Sequence, residues 1–203
     1  ALFFSVASFA TSVTSLRFDT AIVSAANEED AKSLLALSFI TMVPISAIVA
    51  AILFVMIRRD FFGYGGLHPA FSVLLFALLV VLGLFTTAKY WTIRLEEFSA
   101  VSRATVVQSF CRGLVQVILG VLAAGTVGLT IGDLIGRTAG MRELLREPLK
   151  SLRGFRSRLS IAQLLGGAKN YSQYTIYTMP STILNNGALL LPVPLTAHSY
   201  GLI

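Results

Sequence analysis

Three charged residues carry the chemistry this sequence can do away from water: Arg112, Asp133 and Arg137. Each lies within an apolar stretch, where a charge costs about 3 kcal/mol on membrane-insertion scales and must face a protein interior or a watery cavity. Asp133 and Arg137 are four residues apart, on one face of a helix, and can pair with each other. That spacing allows an internal ion pair that fixes helix packing, which makes two charges within an apolar stretch less surprising. Arg112 has no acid in its own segment, so unless Asp133 reaches across, its charge is available for a ligand. Its position near the end of its segment also permits snorkelling to the headgroup layer.

The polar residues around these charges recur every three or four positions, which places them on single helical faces. One stripe is Ser5, Ser8, Ser12, Ser15 and, beyond the apolar segment, Asp19; a second is Ser102, Thr105, Ser109, Arg112 and Gln116. A third runs through Thr126, Thr130, Asp133 and Arg137, and a fourth through Tyr174, Tyr177, Ser181 and Asn185, with Asn186 alongside. Ser and Thr decide little, because in a membrane helix they also bond to carbonyls of their own or a neighbouring helix. Gly128, Gly132, Gly136 and Gly140 form a small-residue seam suited to close helix approach. Pro44, Pro192 and Pro194 mark bending points. Residues 71–87 hold almost nothing polar, so that segment is expected to face lipid.

The elements that must position these residues are membrane spans. The chain is 55% hydrophobic and 13% charged, against about 25% charged in soluble domains. Apolar segments of the roughly 20 residues a bilayer needs are expected at 1–16, 34–57, 71–87, 104–122, 127–140 and 174–197, the first and fifth being short. The expected fold class is therefore all-α, a polytopic bundle of about six spans. Tyr90, Trp91, Phe61 and Phe62 sit at span ends, as amphipathic rings do. Asn27 with Glu28, Glu29 and Asp30 reads as a helix N-cap followed by acids in the first turn.

Lys and Arg number twelve in the loops after the first, third and fifth spans and two in the others, so the odd-numbered loops are expected in the cytoplasm. The net charge of +6 is thus topology, not a sign of nucleic acid. The basic stretch 142–158 reads as an amphipathic linker on the membrane surface, with Leu144, Leu145, Leu149 and Leu152 as its apolar side. Cys111 has no disulfide partner, and neither a Cys/His metal pattern nor a cofactor motif is present. The chain starts in an apolar stretch at Ala1 and ends in another at Ile203, so a fragment of a longer protein is expected.

Several segments, in order, resemble the polysaccharide and O-antigen flippase family of the multidrug/oligosaccharidyl-lipid/polysaccharide exporter superfamily. They are Leu16-Arg17-Phe18-Asp19-Thr20-Ala21-Ile22-Val23 with the acidic Asn27 to Asp30 and Leu34-Leu35-Ala36-Leu37-Ser38; Tyr90-Trp91 through Phe98, Ser102 and Arg103; Gly128 to Gly140; and Pro180-Ser181 through Leu184-Asn185 and Leu191-Pro192. The likeness covers nearly the whole chain through degenerate motifs. It implies a two-lobed exporter of which 1–140 is five spans of the first lobe, 141–173 the basic cytoplasmic linker between lobes, and 174–203 the first span of the second. It further implies flipping of an undecaprenyl-pyrophosphate-linked oligosaccharide across the bacterial cytoplasmic (inner) membrane by alternating access, with membrane lipids and other polysaccharide-assembly proteins as companions. Arg112 and Arg137 would then hold the pyrophosphate, Gln116, Asn185 and Asn186 the sugar hydroxyls, and Asp133 the coupling ion.

Three other readings compete, one of them a non-transporting remnant or membrane-anchoring module. A multidrug exporter or a peptidoglycan-precursor flippase of the same superfamily would share the bundle and differ in cargo. A membrane-embedded glycan-processing enzyme would need converging acids or histidines, yet His68 and His198 lie near loops and no paired carboxylate faces a span; the expectation is a non-enzyme.

Overall fold

A backbone surrounded by hydrocarbon has to satisfy its own N–H and C=O groups, which helices do within one segment. A computed structural model describes residues 2–11, 14–61, 64, 67–122, 125–155 and 161–190. Ser12, Phe62, Arg156, Arg158, Pro192, Pro194 and His198, and the side chains of Ser5, Ser8 and Thr126, lie outside the described residues.

Every regular element among the described residues is helical: α1 (Leu2–Thr11), α2 (Phe18–Ser24), α3 (Glu28–Arg59), α4 (Ala70–Arg94), α5 (Phe98–Val121), α6 (Gly125–Thr138), α7 (Met141–Phe155), α8 (Ile161–Asn170), a π-helical turn (Tyr174–Thr178) and α9 (Met179–Leu190). The expected all-α bundle is what forms. Of the six expected spans, α3, α4 and α5 are long and apolar enough to cross a bilayer, with 32, 25 and 24 residues and mean hydropathies of 2.7, 2.5 and 1.5. The other three expected spans correspond to shorter helices: α1, α6 and the π turn with α9. Helix α3 extends back to Glu28, whose carboxylate pairs with Lys32 at 2.6 Å. Asn27 precedes it in extended backbone without a side-chain cap.

The expectation that residues 71–87 face lipid is overturned. Helix α4 is the hub, packed by α1, α2, α3, α5, α6 and α7. Leu75, Leu78 and Leu79 are buried with α1 and α3, Phe85 and Ala88 with α5 and α7, and Trp91 with α2 and α3. A helix that is apolar all round is as well suited to being surrounded by protein as by lipid. The least buried of the three long helices is instead α5, where Ala104 is buried while Val106, Phe110, Val117 and Val121 are exposed.

The basic loops collect at one end of the bundle. Arg94, at the end of α4, donates to the carbonyls of Ile22 (2.9 Å), Ala25 (2.8 Å) and Asn27 (3.4 Å), satisfying acceptors that the end of α2 leaves open. Tyr171 accepts from the Ala26 amide at 2.9 Å and donates to Asp30 at 3.3 Å. Helix α7 does more than lie on a surface: Leu144 is buried against Phe85, Ala88 and Ala104, and Leu145 and Leu152 pack on the bundle, whereas Leu149 is 49% exposed.

Candidate functional site

The glycine seam of α6 explains how the membrane charges meet. A Cβ placed on Gly136 would sit 2.2 Å from the Cα of Arg112, and one on Gly132 would sit 3.2 Å from the Cγ of Gln116. Gly140, at φ +75, brings the end of α6 against the Ala104 backbone. Only residues without a Cβ let the α6 backbone lie this close to α5. The positions next to the seam, Asp133 and Arg137, then stand within reach of Arg112.

Asp133 is fully buried and shared by both arginines. Arg137 Nε donates to Oδ2 at 2.8 Å from one turn along α6, and Arg112 Nε contacts Oδ1 at 2.5 Å across the seam, at an angle that makes it a charge contact more than a linear hydrogen bond. The guanidiniums are less enclosed, with side chains 41% exposed at Arg112 and 24% at Arg137. Two positive charges around one negative charge leave the trio net cationic. Gln108 adds a hydrogen bond to the Arg137 carbonyl at 3.3 Å.

Facing this trio is the interruption between α1 and α2. Leu16 (φ 50) and Arg17 (φ 63) adopt left-handed backbone, which side-chain-bearing residues rarely do without outside support. The support comes from across the sequence: Thr175 in the π turn donates to the Leu16 carbonyl at 2.8 Å, and Arg17 donates to the Thr182 hydroxyl at 2.7 Å. Pro180 accounts for the wide turn beneath it, because its ring excludes the carbonyl four residues back from ordinary α geometry.

Between the interruption, α4 and α6 lies a polar cleft of about 210 Å³. Thr11, Thr14, Ser15 and Asp19 form one wall, Gly83 and Thr86 another, and Asp133 and Arg137 the third. Gly83 fits because Met42 of α3 occupies the space its Cβ would need. Asp19 is 3% exposed; the Thr20 amide donates to its Oδ1 at 2.9 Å and Ser15 also hydrogen-bonds it. Burial, offset only in part by these bonds and by the charge of Arg17, holds its carboxyl above the ordinary carboxylate range.

Of the residues singled out in the sequence, Arg112, Asp133 and Arg137 are brought together, and Asp133 and Arg137 line the cleft. Gln116 lies in the α5–α6 seam. Asn185 is exposed on α9 and Asn186 half-buried, and neither is among the cleft-lining residues. The polar cleft residues that sequence reasoning left out of the site are Thr11, Thr14, Ser15, Asp19 and Thr86. Asp19 had a visible signal, as the residue one turn past Ser15 on the first polar stripe; Thr86 had none, since the Thr86-Thr87 pair recurs at no helical spacing within the apolar run before it. No family model, no curated protein and no solved structure matches this chain.

Proposed function

We propose that this protein is a membrane transporter that moves the charged head of a lipid-linked oligosaccharide, in the form of an undecaprenyl pyrophosphate, across the bacterial cytoplasmic membrane. The observation that carries this reading is the net-cationic trio of Arg112, Asp133 and Arg137 set against a polar cleft inside an otherwise apolar bundle. A diphosphate and its sugars cannot cross hydrocarbon unless a protein lumen replaces their water, while the lipid tail stays in the bilayer. Phosphate oxygens compete with the Asp133 carboxylate for the same guanidinium donors, so Asp133 holds the arginines ready when no anion is bound. The resemblance in the sequence supplies the cargo, and the charge bias of the loops supplies the direction, with the basic end in the cytoplasm.

The test is export of lipid-linked glycan in cells whose protein carries Arg112→Ala or Arg137→Ala, with membrane insertion followed in parallel. Both variants insert and lose export on this reading. Normal export by both removes the cationic lumen and the reading with it.

A further inference from the structure

The two carboxylates that line the cleft are in opposite electrostatic situations. Asp133 lies between two guanidiniums and is ion-paired with both. Asp19 is as deeply buried, yet none of the ion pairs among the described residues includes it. Its closest basic neighbour in sequence, Arg17, spends a guanidinium hydrogen bond on Thr182. The cleft nevertheless sets Asp19 beside Thr14 and Ser15 in a space of about 210 Å³, large enough to hold water.

We infer that Asp19 is the proton-binding group of this cleft. The step is a single proton transfer: an Asp19 carboxylate oxygen takes a proton from water in the cleft and becomes a neutral carboxylic acid, and it returns that proton to water in the reverse step. Ser15 suits both states, because a hydroxyl donates to a carboxylate and turns to accept from an acid. The Thr20 amide bond to Oδ1 persists in either state.

The groups around Asp19 keep the change local. Tyr90 of α4 feels its charge, Tyr174 of the π turn packs on the α2 cluster, and Arg17 precedes it in the turn. Helix α3 presents Ala31, Leu34 and Leu35 to α2, all apolar. Across the cleft, Asp133 is paired with both Arg137 and Arg112, so the group facing Asp19 there carries a net positive charge. Proton binding therefore removes the charge that Asp19 presents to α4 and to the cleft. Only the use of that change, to couple transport to a proton gradient, rests on the transporter reading; the binding itself does not.

The test exploits Trp91, the single tryptophan of the chain, which packs in one cluster with Phe18 and Ile22 on either side of Asp19. Purified protein in lipid nanodiscs, without cargo, is titrated from acid to alkaline pH while Trp91 emission and the infrared band of protonated carboxyl groups are recorded. The expected result is one transition, above the range in which solvated carboxylates titrate, that disappears in Asp19→Asn, persists in Asp133→Asn and returns in Asp19→Glu. A transition that survives Asp19→Asn overturns the inference, as does one lost in Asp133→Asn. Absence from the parent protein of a protonated-carboxyl band that Asp19→Asn removes overturns it too. Because no cargo is present, failure of the glycan-export test leaves this result standing, and the converse holds as well.

Discussion

Replacing Gly136 with alanine tests the packing on which the charged trio depends. The new methyl would lie 2.2 Å from the Arg112 Cα, 2.5 Å from its Cβ and 2.8 Å from its backbone nitrogen. Carbon atoms rest about 3.5–4.0 Å apart, so α6 must retreat from α5 by roughly 1.5 Å, since backbone cannot rotate aside. The Arg112 to Asp133 contact, now 2.5 Å, would lengthen to about 4 Å by the same shift, where little direct pairing remains. Overpacking of this kind costs about 1–3 kcal/mol, and the better helix propensity of alanine returns about 1 kcal/mol. With the weakened ion pair the net expectation is a loss of about 1–3 kcal/mol. Gly113 is the control, because a Cβ there meets nothing within 4 Å; Gly113→Ala should be neutral or stabilise by up to about 1 kcal/mol. Reversible unfolding in mixed detergent micelles, monitored by helicity, measures both variants. Equal stability of Gly136→Ala and Gly113→Ala would refute the seam as the origin of the charge cluster.

Two further outcomes follow from the same geometry. Arg94→Ala strips hydrogen bonds from four carbonyls between the end of α2 and the start of α3; bonds from a charged donor contribute about 1.5–3 kcal/mol each when buried and less where water can replace them, so a loss of about 1–2 kcal/mol is expected. Amide exchange should accelerate over residues 18–27 and stay unchanged in α5, and uniform exchange across both would contradict the capping role. Asp133→Asn leaves two guanidiniums without their shared acid, a change that costs about 3–5 kcal/mol in a fully buried pair and about 1–3 kcal/mol here, where both arginines are partly exposed. Unfolding at the parent's detergent fraction would show that Asp133 does not balance them.

The helical class, the pairing of Asp133 with Arg137 and the tight seam were legible because each is a property of one helix and its spacing. What was not legible is which neighbour each face meets. The stripe of α5 illustrates this: Ser102 and Ser109 are exposed, whereas Arg112 and Gln116 are drawn in because glycines of α6 happen to lie opposite them. Periodicity marks a face as unusual and carries no information on its partner. Helix α4 shows the complementary failure, since apolar side chains record the absence of water and do not distinguish lipid from protein. Asp19 escaped notice as a site residue because the first stripe reads as a continuous helix, and the interruption at Leu16 and Arg17 involves no glycine or proline that would announce it.

That interruption has a mechanical consequence. Left-handed backbone at two residues with side chains costs of order 1–3 kcal/mol each and persists only when its surroundings over-determine it. Here the determinants are Thr175 on the Leu16 carbonyl and Thr182 on the Arg17 guanidinium, both on the segment that follows the basic stretch 142–158. If the π turn and α9 move away, those two bonds are lost and the strained turn loses what holds it. The wall of the cleft formed by Thr14, Ser15 and Asp19 is continuous with that turn, so its shape is bound to the position of α9. A proton on Asp19 and a displacement of α9 would therefore act on the same few residues.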